Sequence, residues 1–126
     1  MKIATYLINL DGSDERLASA TAQLQQQGVA FDALFAASDL MAMTAVSALR
    51  QHGVRVPDDV RVVGYDDVAL AEHFHPPLST VRQPIAEAGQ ALVQALLAQL
   101  AGERSSSILL PTTLVVRASS GATGAA

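Results

Sequence analysis

The chain has 126 residues, half of them apolar and 16% charged, and it contains no cysteine. This length allows one domain with a real core, and the composition excludes a disordered chain, a disulfide scaffold and a thiolate metal site. A formal charge of −4 gives no overall attraction to nucleic acid or to an anionic membrane surface, and no apolar run reaches membrane-spanning length. We therefore expect a cytoplasmic, single-domain protein that binds neither nucleic acid nor membrane.

The chain begins with the pattern of one βα unit. Residues 4–10 form a short β-favouring run that ends at Asp11 and a glycine. Apolar residues then recur at helical spacing over 13–27, and a glycine follows as a helix stop. A strand followed by a helix is predicted here.

The same alternation continues through the first half. A strand is predicted over 31–37, a helix over 40–52, and a nearly continuous apolar strand over 60–65, as a strand buried on both faces would be. Strand, helix, strand, helix, strand is the pattern of βαβ units. The sequence therefore predicts the α/β fold class, with a largely parallel sheet and flanking helices.

The second half is less regular. A short helical turn over 68–74 is stopped by two prolines, and an extended segment over 78–83 follows. A long helix is predicted over 85–101, and the run over 107–116 favours a strand at a sheet edge because it contains a proline. We expect residues 119–126, which are small and polar, to form a flexible tail.

Polar side chains follow three of the predicted strands: Asp11, Ser38 with Asp39, and Asp66 with Asp67. Ligands of parallel α/β sheets bind beyond the carboxyl ends of the strands, where carboxylates can accept hydrogen bonds from sugar hydroxyls or ring nitrogens. Each group also begins a predicted helix, so capping is the competing interpretation. Capping is favoured for Ser38 and Asp39, whereas both interpretations stay open for Asp66 because Asp67 is left to cap.

No catalytic or cofactor pattern is evident. Glu72, His73 and His75 are metal-capable, but two histidines at i and i+2 do not share a helix face, so a solvated loop is favoured. The glycines are read as turn or helix-end residues and not as a phosphate loop: Gly12, Gly53, Gly64 and Gly102. We predict that the chain is not an enzyme and uses no cofactor or metal.

Four segments in order carry a family resemblance: FDALFAASDLMAMTAVSALRQHGVRVPDDVRVVGYDD, HPPLSTVRQP, the long helix, and ILLPTTLVVRASS. Over residues 31–120 the chain resembles the effector-binding core of the lactose-repressor/galactose-repressor family of transcription regulators. The resemblance implies the periplasmic-binding-protein-like fold, in which two α/β subdomains close over a small ligand. It implies that this stretch is most of the C-terminal subdomain, together with the helix that crosses to pack on the N-terminal one. We expect one domain over 1–118.

The resemblance also implies roles for individual residues. Ser38 and Asp66 match ligand-facing positions, Asp66 matching the acid that binds a sugar hydroxyl or nucleobase, and Gln83 lies near the same cleft. With Asp11, these form the candidate site for a sugar or purine effector. A homodimer is expected, because six residues match the family's dimer interface. They are Met41, Ala42, Ala45, Val46, Leu49 and Phe74.

The family's DNA-binding headpiece, hinge helix and most of its N-terminal subdomain have no counterpart in the sequence. Half of the ligand cleft is therefore missing, and any effector binding is expected to be weak. The helix over 85–101 loses the sheet that it would cover, so it must pack on this chain's own sheet or on a second copy, or leave an apolar patch. We read the chain as a truncated or recombined effector domain.

The opening stretch MKIATYLINLDGSDERLASATAQLQ also resembles the start of the family-25 glycosyltransferases of lipooligosaccharide biosynthesis. Residues 1–30 are therefore a βα unit of open origin, either the repressor family's own or foreign. A glycosyltransferase fragment is one alternative function, and a scaffold that binds no ligand is another.

Overall fold

A computed structural model of the chain describes residues 26, 28, 30–104 and 106–122. The predicted strand over 4–10, Asp11 and most of the predicted helix over 13–27 lie outside the described residues. The elements run in the order β1 (Ala33–Phe35), α1 (Asp39–Gln51), β2 (Arg61–Val63), α2 (Ala69–His73), β3 (Thr80–Arg82), α3 (Ile85–Leu100), β4 (Thr113–Val115) and a 3₁₀ helix (Ala118–Ser120).

The strands join side by side in chain order. Strands β1 and β2 pair in parallel, and β2 continues to the β3 segment through parallel bridges between Val63 and Ser79 and between Asp66 and Arg82. Strand β4 then pairs with β3 in the antiparallel direction. The predicted α/β fold with a largely parallel sheet is confirmed, and its carboxyl ends meet at one edge.

Helix α1 packs on the sheet and supplies much of the core. It begins where the Ser38 hydroxyl accepts a hydrogen bond from Met41 N–H, and it ends before Gly53, whose φ of +75° suits glycine. Within the helix, residues at i, i+3 and i+4 spacing lie on the same face. The fully buried large apolar side chains of the described fold are Leu49, Val46, Val62 and Leu78.

The structure changes the prediction of a dimer interface on α1 and near Phe74. Four of the six predicted residues are at most 1% exposed: Ala42, Ala45, Val46 and Leu49. The prediction is wrong for these four, because a side chain that its own chain encloses offers no surface to a partner. Met41 and Phe74 are partly buried and pack against the same core, so their contact with a partner stays a prediction. Spacing alone did not distinguish an inward face from an outward one.

The start of the predicted flexible tail is packed into the fold. Ser119 is fully buried, its hydroxyl accepts a hydrogen bond from Ser79 N–H at 2.8 Å, and it donates to the Val62 carbonyl at 2.7 Å. The Ser119 N–H donates to the Pro77 carbonyl. The prediction of a flexible tail is therefore wrong at Ser119, because this small polar residue hydrogen-bonds to backbone groups of β2 and of the segment that leads into β3. Residues 123–126 lie outside the described residues.

Replacing Ser119 by alanine is expected to lower the free energy of unfolding by about 1–3 kcal/mol, because the buried Ser79 N–H loses its acceptor. Urea denaturation measures this loss. Ser107→Ala is the matched control, because Ser107 is exposed and the same change there is expected to leave the midpoint unchanged. Equal midpoints for the two variants would contradict an ordered role for Ser119.

Helix α3 stands apart from the core. Its bounds agree with the predicted helix over 85–101, but none of its residues is buried. Three outcomes were open for this helix. Among the described residues its apolar face is exposed, and the described strands do not cover it.

Candidate functional site

Three strand ends converge at one edge of the sheet. The Asp39 N–H donates to the Tyr65 carbonyl at 2.7 Å, which brings the end of β1 against the end of β2. The Asp66 N–H donates to the Val81 carbonyl at 2.9 Å, which adds β3 to the same edge. Ser38 precedes Asp39 in the sequence, and Asp66 follows Tyr65, so both lie beside this hydrogen bond. The sheet therefore gathers Ser38 and Asp66 as the sequence predicted, whereas Asp11 lies outside the described residues.

Asp66 occupies an unusual backbone position at this edge. Its φ is +108°, a region that side chains other than glycine's rarely adopt, and hydrogen bonding to β3 holds it there. Its carboxylate is exposed, and Oδ1 accepts a hydrogen bond from Gln83 Nε2 at 2.7 Å. An ionised carboxylate can accept about four hydrogen bonds, so Gln83 orients the group without using its full acceptor capacity.

The neighbouring Asp67 has a structural role that the sequence did not reveal. We expected it to cap the next helix, but the N-cap of α2 is Val68 and has no side-chain hydrogen bond. The Asp67 carboxylate is instead 6% exposed and pairs with Arg82 Nε at 2.6 Å and with Arg117 Nη1 at 2.8 Å. It ties the end of β2 to β3 and to the segment after β4.

The electrostatics of this cluster keep Asp67 ionised. Burial acts to raise the pKa of the Asp67 carboxyl, but the hydrogen bonds and charges of Arg117 and Arg82 outweigh burial and hold the pKa below its usual value. Arg117 also donates to the Leu78 carbonyl at 2.8 Å, so its guanidinium is fixed from two sides. The two acids of the GYDD segment therefore have different surroundings: Asp67 is held in ion pairs, and Asp66 faces solvent.

Ser38 and Asp39 were both predicted to cap the helix after β1, and only Ser38 does so. Its hydroxyl accepts from Met41 N–H at 3.3 Å, so the capping interpretation is confirmed for Ser38. The Asp39 carboxylate is fully buried and accepts hydrogen bonds from the Val68 N–H and the Thr80 hydroxyl, so it does not cap α1. Asp39 connects α1 to α2 and β3, a role that no local motif signals.

The other candidate groups do not form a second site. Glu72, His73 and His75 are exposed, and among the described residues no group of three or more His, Cys, Asp or Glu side chains is placed to hold a metal ion. An open pocket of about 380 Å³ lies at the amino end of β2, away from the strand-end site. It is lined by Pro57, Asp58, Arg61, Ala118, Gly121 and Ala122. In the part of the chain that the structure describes, no helix is both long and apolar enough to cross a membrane.

Comparison with known proteins gives a consistent family. A model described as "Periplasmic binding protein-like domain" matches residues 4–120, which include the opening stretch that resembles a glycosyltransferase. The HTH-type transcriptional regulator CelR of Thermobifida fusca is 43% identical over 103 residues, which are 80% of this chain and 30% of CelR.

Solved structures agree with this match. A lac repressor dimer bound to operator and the anti-inducer ONPF shares 35% identity with a TM-score of 0.80, over 87% of this chain and 39% of that one. A CelR–cellobiose complex shares 41% identity with a TM-score of 0.77, over 88% of this chain and 34% of that one. The chain thus spans between 30% and 39% of the length of these relatives. The chain belongs to the periplasmic binding protein-like domain family and matches part of the effector-binding core of lactose-repressor-type transcription regulators.

Proposed function

We propose that this chain recognises a small sugar through the strand-end site, as part of the effector-binding domain of a transcription regulator. The observation that carries the proposal is the exposed Asp66 carboxylate, oriented by Gln83 at 2.7 Å. Ionised acceptors form strong hydrogen bonds with hydroxyl donors, and vicinal sugar hydroxyls can approach one carboxylate together.

The different roles of the neighbouring acids Asp66 and Asp67 support this proposal. Asp67 holds Arg82 and Arg117, so these cations stabilise the edge of the site and do not neutralise Asp66. The CelR–cellobiose complex supports a sugar as the ligand class, since that relative resembles 88% of this chain. We therefore favour a sugar over a purine.

A binding role accounts for the described residues better than catalysis does. The relatives are transcription regulators, and the glycosyltransferase alternative rests on a stretch that the repressor-type family model also covers. A ligand-responsive regulator works beside the chromosome, so the proposal retains the cytoplasm as its location. It also retains a homodimer, supported by the lac repressor dimer, and no direct contact of this chain with DNA.

Cellobiose is the first probe, and Asp66→Asn is expected to weaken its binding about 10- to 100-fold, because a hydrogen bond to a charged group contributes about 1.5–3 kcal/mol. Isothermal titration of the purified chain gives both dissociation constants. Ribose and a purine nucleobase, titrated in parallel, test the ligand class.

Asp58→Asn is the matched control, because Asp58 is an exposed acid at the other end of β2. It should bind the probe as the unchanged chain does. Equal loss in both variants, or no binding of any sugar by the unchanged chain, would overturn the proposal and favour a scaffold without a ligand. If only the purine bound, the proposed ligand class would change from a sugar to a purine.

A further inference from the structure

The pocket at the amino end of β2, which we call the β2 pocket, is separate from the strand-end site at the carboxyl ends. Its volume of about 380 Å³ falls within the range of about 300–1,000 Å³ that is usual for small-molecule sites. Pro57 and Asp58 line it from the turn before β2, and Arg61 is the first residue of that strand. The rest of its lining comes from the 3₁₀ helix and the two residues that follow it.

Hydrogen bonds hold both walls of the β2 pocket. In the turn before β2, the Asp59 carboxylate accepts from Arg55 Nε at 2.9 Å and from Arg55 Nη2 at 2.6 Å. The 3₁₀ helix is fixed by the buried Ser119 hydroxyl, which bonds to backbone groups of Val62 and Ser79. A ligand therefore finds these walls already ordered, which lowers the entropy cost of binding.

The Arg61 side chain lies against the end of the 3₁₀ helix. A Cβ atom at Gly121 would lie 3.2 Å from Arg61 Nε, so the glycine leaves the room that the guanidinium occupies. Within the described part of the chain, this guanidinium has no ion pair, because the pairs formed there involve other arginines. Its N–H donors therefore remain available to an anionic group in the pocket.

Asp58 brings the opposite charge to the same pocket. Its side chain is 64% exposed, and its Oδ2 atom lies 3.7 Å from Arg55 Nη1, which is beyond hydrogen-bond distance. Arg61 is three residues further along the chain, yet among the described ion pairs none joins it to Asp58. One pocket thus presents a cation and an anion that do not neutralise each other.

We propose that the β2 pocket binds a free amino acid, with the ligand's carboxylate on Arg61 and its ammonium group toward Asp58. A guanidinium binds a carboxylate through two parallel hydrogen bonds. A purely anionic ligand would meet the like charge of Asp58, and a purely cationic one would meet Arg61. Charge complementarity therefore favours a small molecule that carries both charges.

The remaining lining favours an apolar side chain on this amino acid. Pro57, Ala118 and Ala122 are partly buried and have no polar side-chain atoms. An apolar side chain of the ligand is removed from water against them, which is favourable, whereas a charged one would be desolvated without a partner. L-leucine is therefore the first probe.

NMR titration of the isotope-labelled chain with L-leucine, read at the backbone N–H groups, measures binding and locates it. We expect a dissociation constant on the order of 1 mM, as suits a ligand of this size, with the largest shifts at Arg61 and Gly121. L-leucine amide lacks the carboxylate, and N-acetyl-L-leucine lacks the ammonium group. Each is expected to bind at least about 10-fold more weakly, because a hydrogen bond to a charged group is lost.

Substitutions in the chain test the same two contacts. Arg61→Gln and Asp58→Asn are each expected to weaken L-leucine binding about 10-fold or more. Arg104→Gln is the matched control, because Arg104 is exposed after α3 and does not line the pocket, so it should bind as the unchanged chain does. The NMR spectrum of each variant verifies that the fold is retained.

The β2 pocket does not depend on the proposed sugar site, and the two titrations fail separately. Asp58→Asn should lose L-leucine while it retains the sugar binding expected above. No shift up to about 20 mM L-leucine, shifts that lie away from Arg61 and Gly121, or an equal loss in Arg104→Gln would overturn the proposal. N-acetyl-L-leucine that binds as tightly as L-leucine would also overturn it, because Asp58 would then make no contribution.

Discussion

Asp67→Asn is expected to lower the free energy of unfolding by about 2–3 kcal/mol at neutral pH. The carboxylate is 6% exposed and accepts from Arg117, whose side chain is 15% exposed, so the substitution leaves a largely buried guanidinium without its ionised partner. Breaking such a pair costs more than the pair itself contributes, because the remaining charge stays desolvated. Arg82 is 59% exposed and contributes less, since water solvates it in either state.

The same pair predicts how stability depends on pH. The pKa of Asp67 in the folded chain is lower than the value of about 3.9 expected when the chain is unfolded. Protons therefore bind the unfolded state more readily, and the stabilisation is fully present above about pH 4 and lost as the pH falls through the folded pKa. The difference between the unchanged chain and Asp67→Asn should narrow over that acid range in urea denaturation series.

Asp59 provides a control of the same residue type. Its pKa is lowered to about 2, chiefly by the side-chain hydrogen bond from Arg55, yet this ion pair is exposed to solvent. Exposed pairs contribute little to stability, so Asp59→Asn should leave the unfolding midpoint almost unchanged. A loss at Asp59 as large as that at Asp67 would mean that burial of the Arg117 pair is not what makes it stabilising.

The elements that the sequence predicted well are those with local start and stop signals. Helix α1 was expected over 40–52 and spans Asp39–Gln51, because Ser38 caps it and Gly53 follows its end. Helix α3 lies between Pro84 and Gly102 and matches its predicted bounds within one residue. The strands are shorter than predicted, since apolar runs continue past the residues that form regular ladders.

Polar contacts between distant residues had no such signals. The Asp67–Arg117 pair joins residues 50 apart, the bond from Ser119 to Val62 spans 57 residues, and Thr80 meets Asp39 across 41. In each case the local sequence favours another interpretation, such as a helix cap or a frayed tail. The strand-end location of Asp66 could be predicted because parallel topology determines it, whereas the roles of its neighbours depend on tertiary pairing.

Gly64 is another residue whose role depends on tertiary packing, because the sequence suggested only a turn residue. It is buried directly after β2, where the chain passes close to the start of α1. A Cβ atom at this position would overlap Asp39 Oδ1 and would lie 3.1 Å from both Asp39 Cα and Leu78 Cδ2. The glycine therefore makes room for the buried carboxylate that connects α1, α2 and β3.

Gly64→Ala is accordingly expected to lower the free energy of unfolding by about 3 kcal/mol or more. Overpacking a core typically costs about 1–3 kcal/mol, and displacement of the Asp39 carboxylate would further weaken its hydrogen bonds to Val68 N–H and the Thr80 hydroxyl. Urea denaturation measures the loss. If the variant is too unstable to purify, the yield of soluble chain compared with the unchanged protein reports the same defect.

Gly89→Ala makes the identical chemical change where the surroundings are open. Gly89 lies within α3, and an added Cβ there would meet nothing within 4 Å. Alanine favours a helix over glycine by up to about 1 kcal/mol, so this variant should be as stable as the unchanged chain or more stable. Opposite signs for the two substitutions would identify the space beside Asp39 as the reason for Gly64. A stable Gly64→Ala chain would instead mean that α1 can move away from β2 without breaking the contacts of Asp39, and the strand-end edge would then be less rigid than its hydrogen bonds imply.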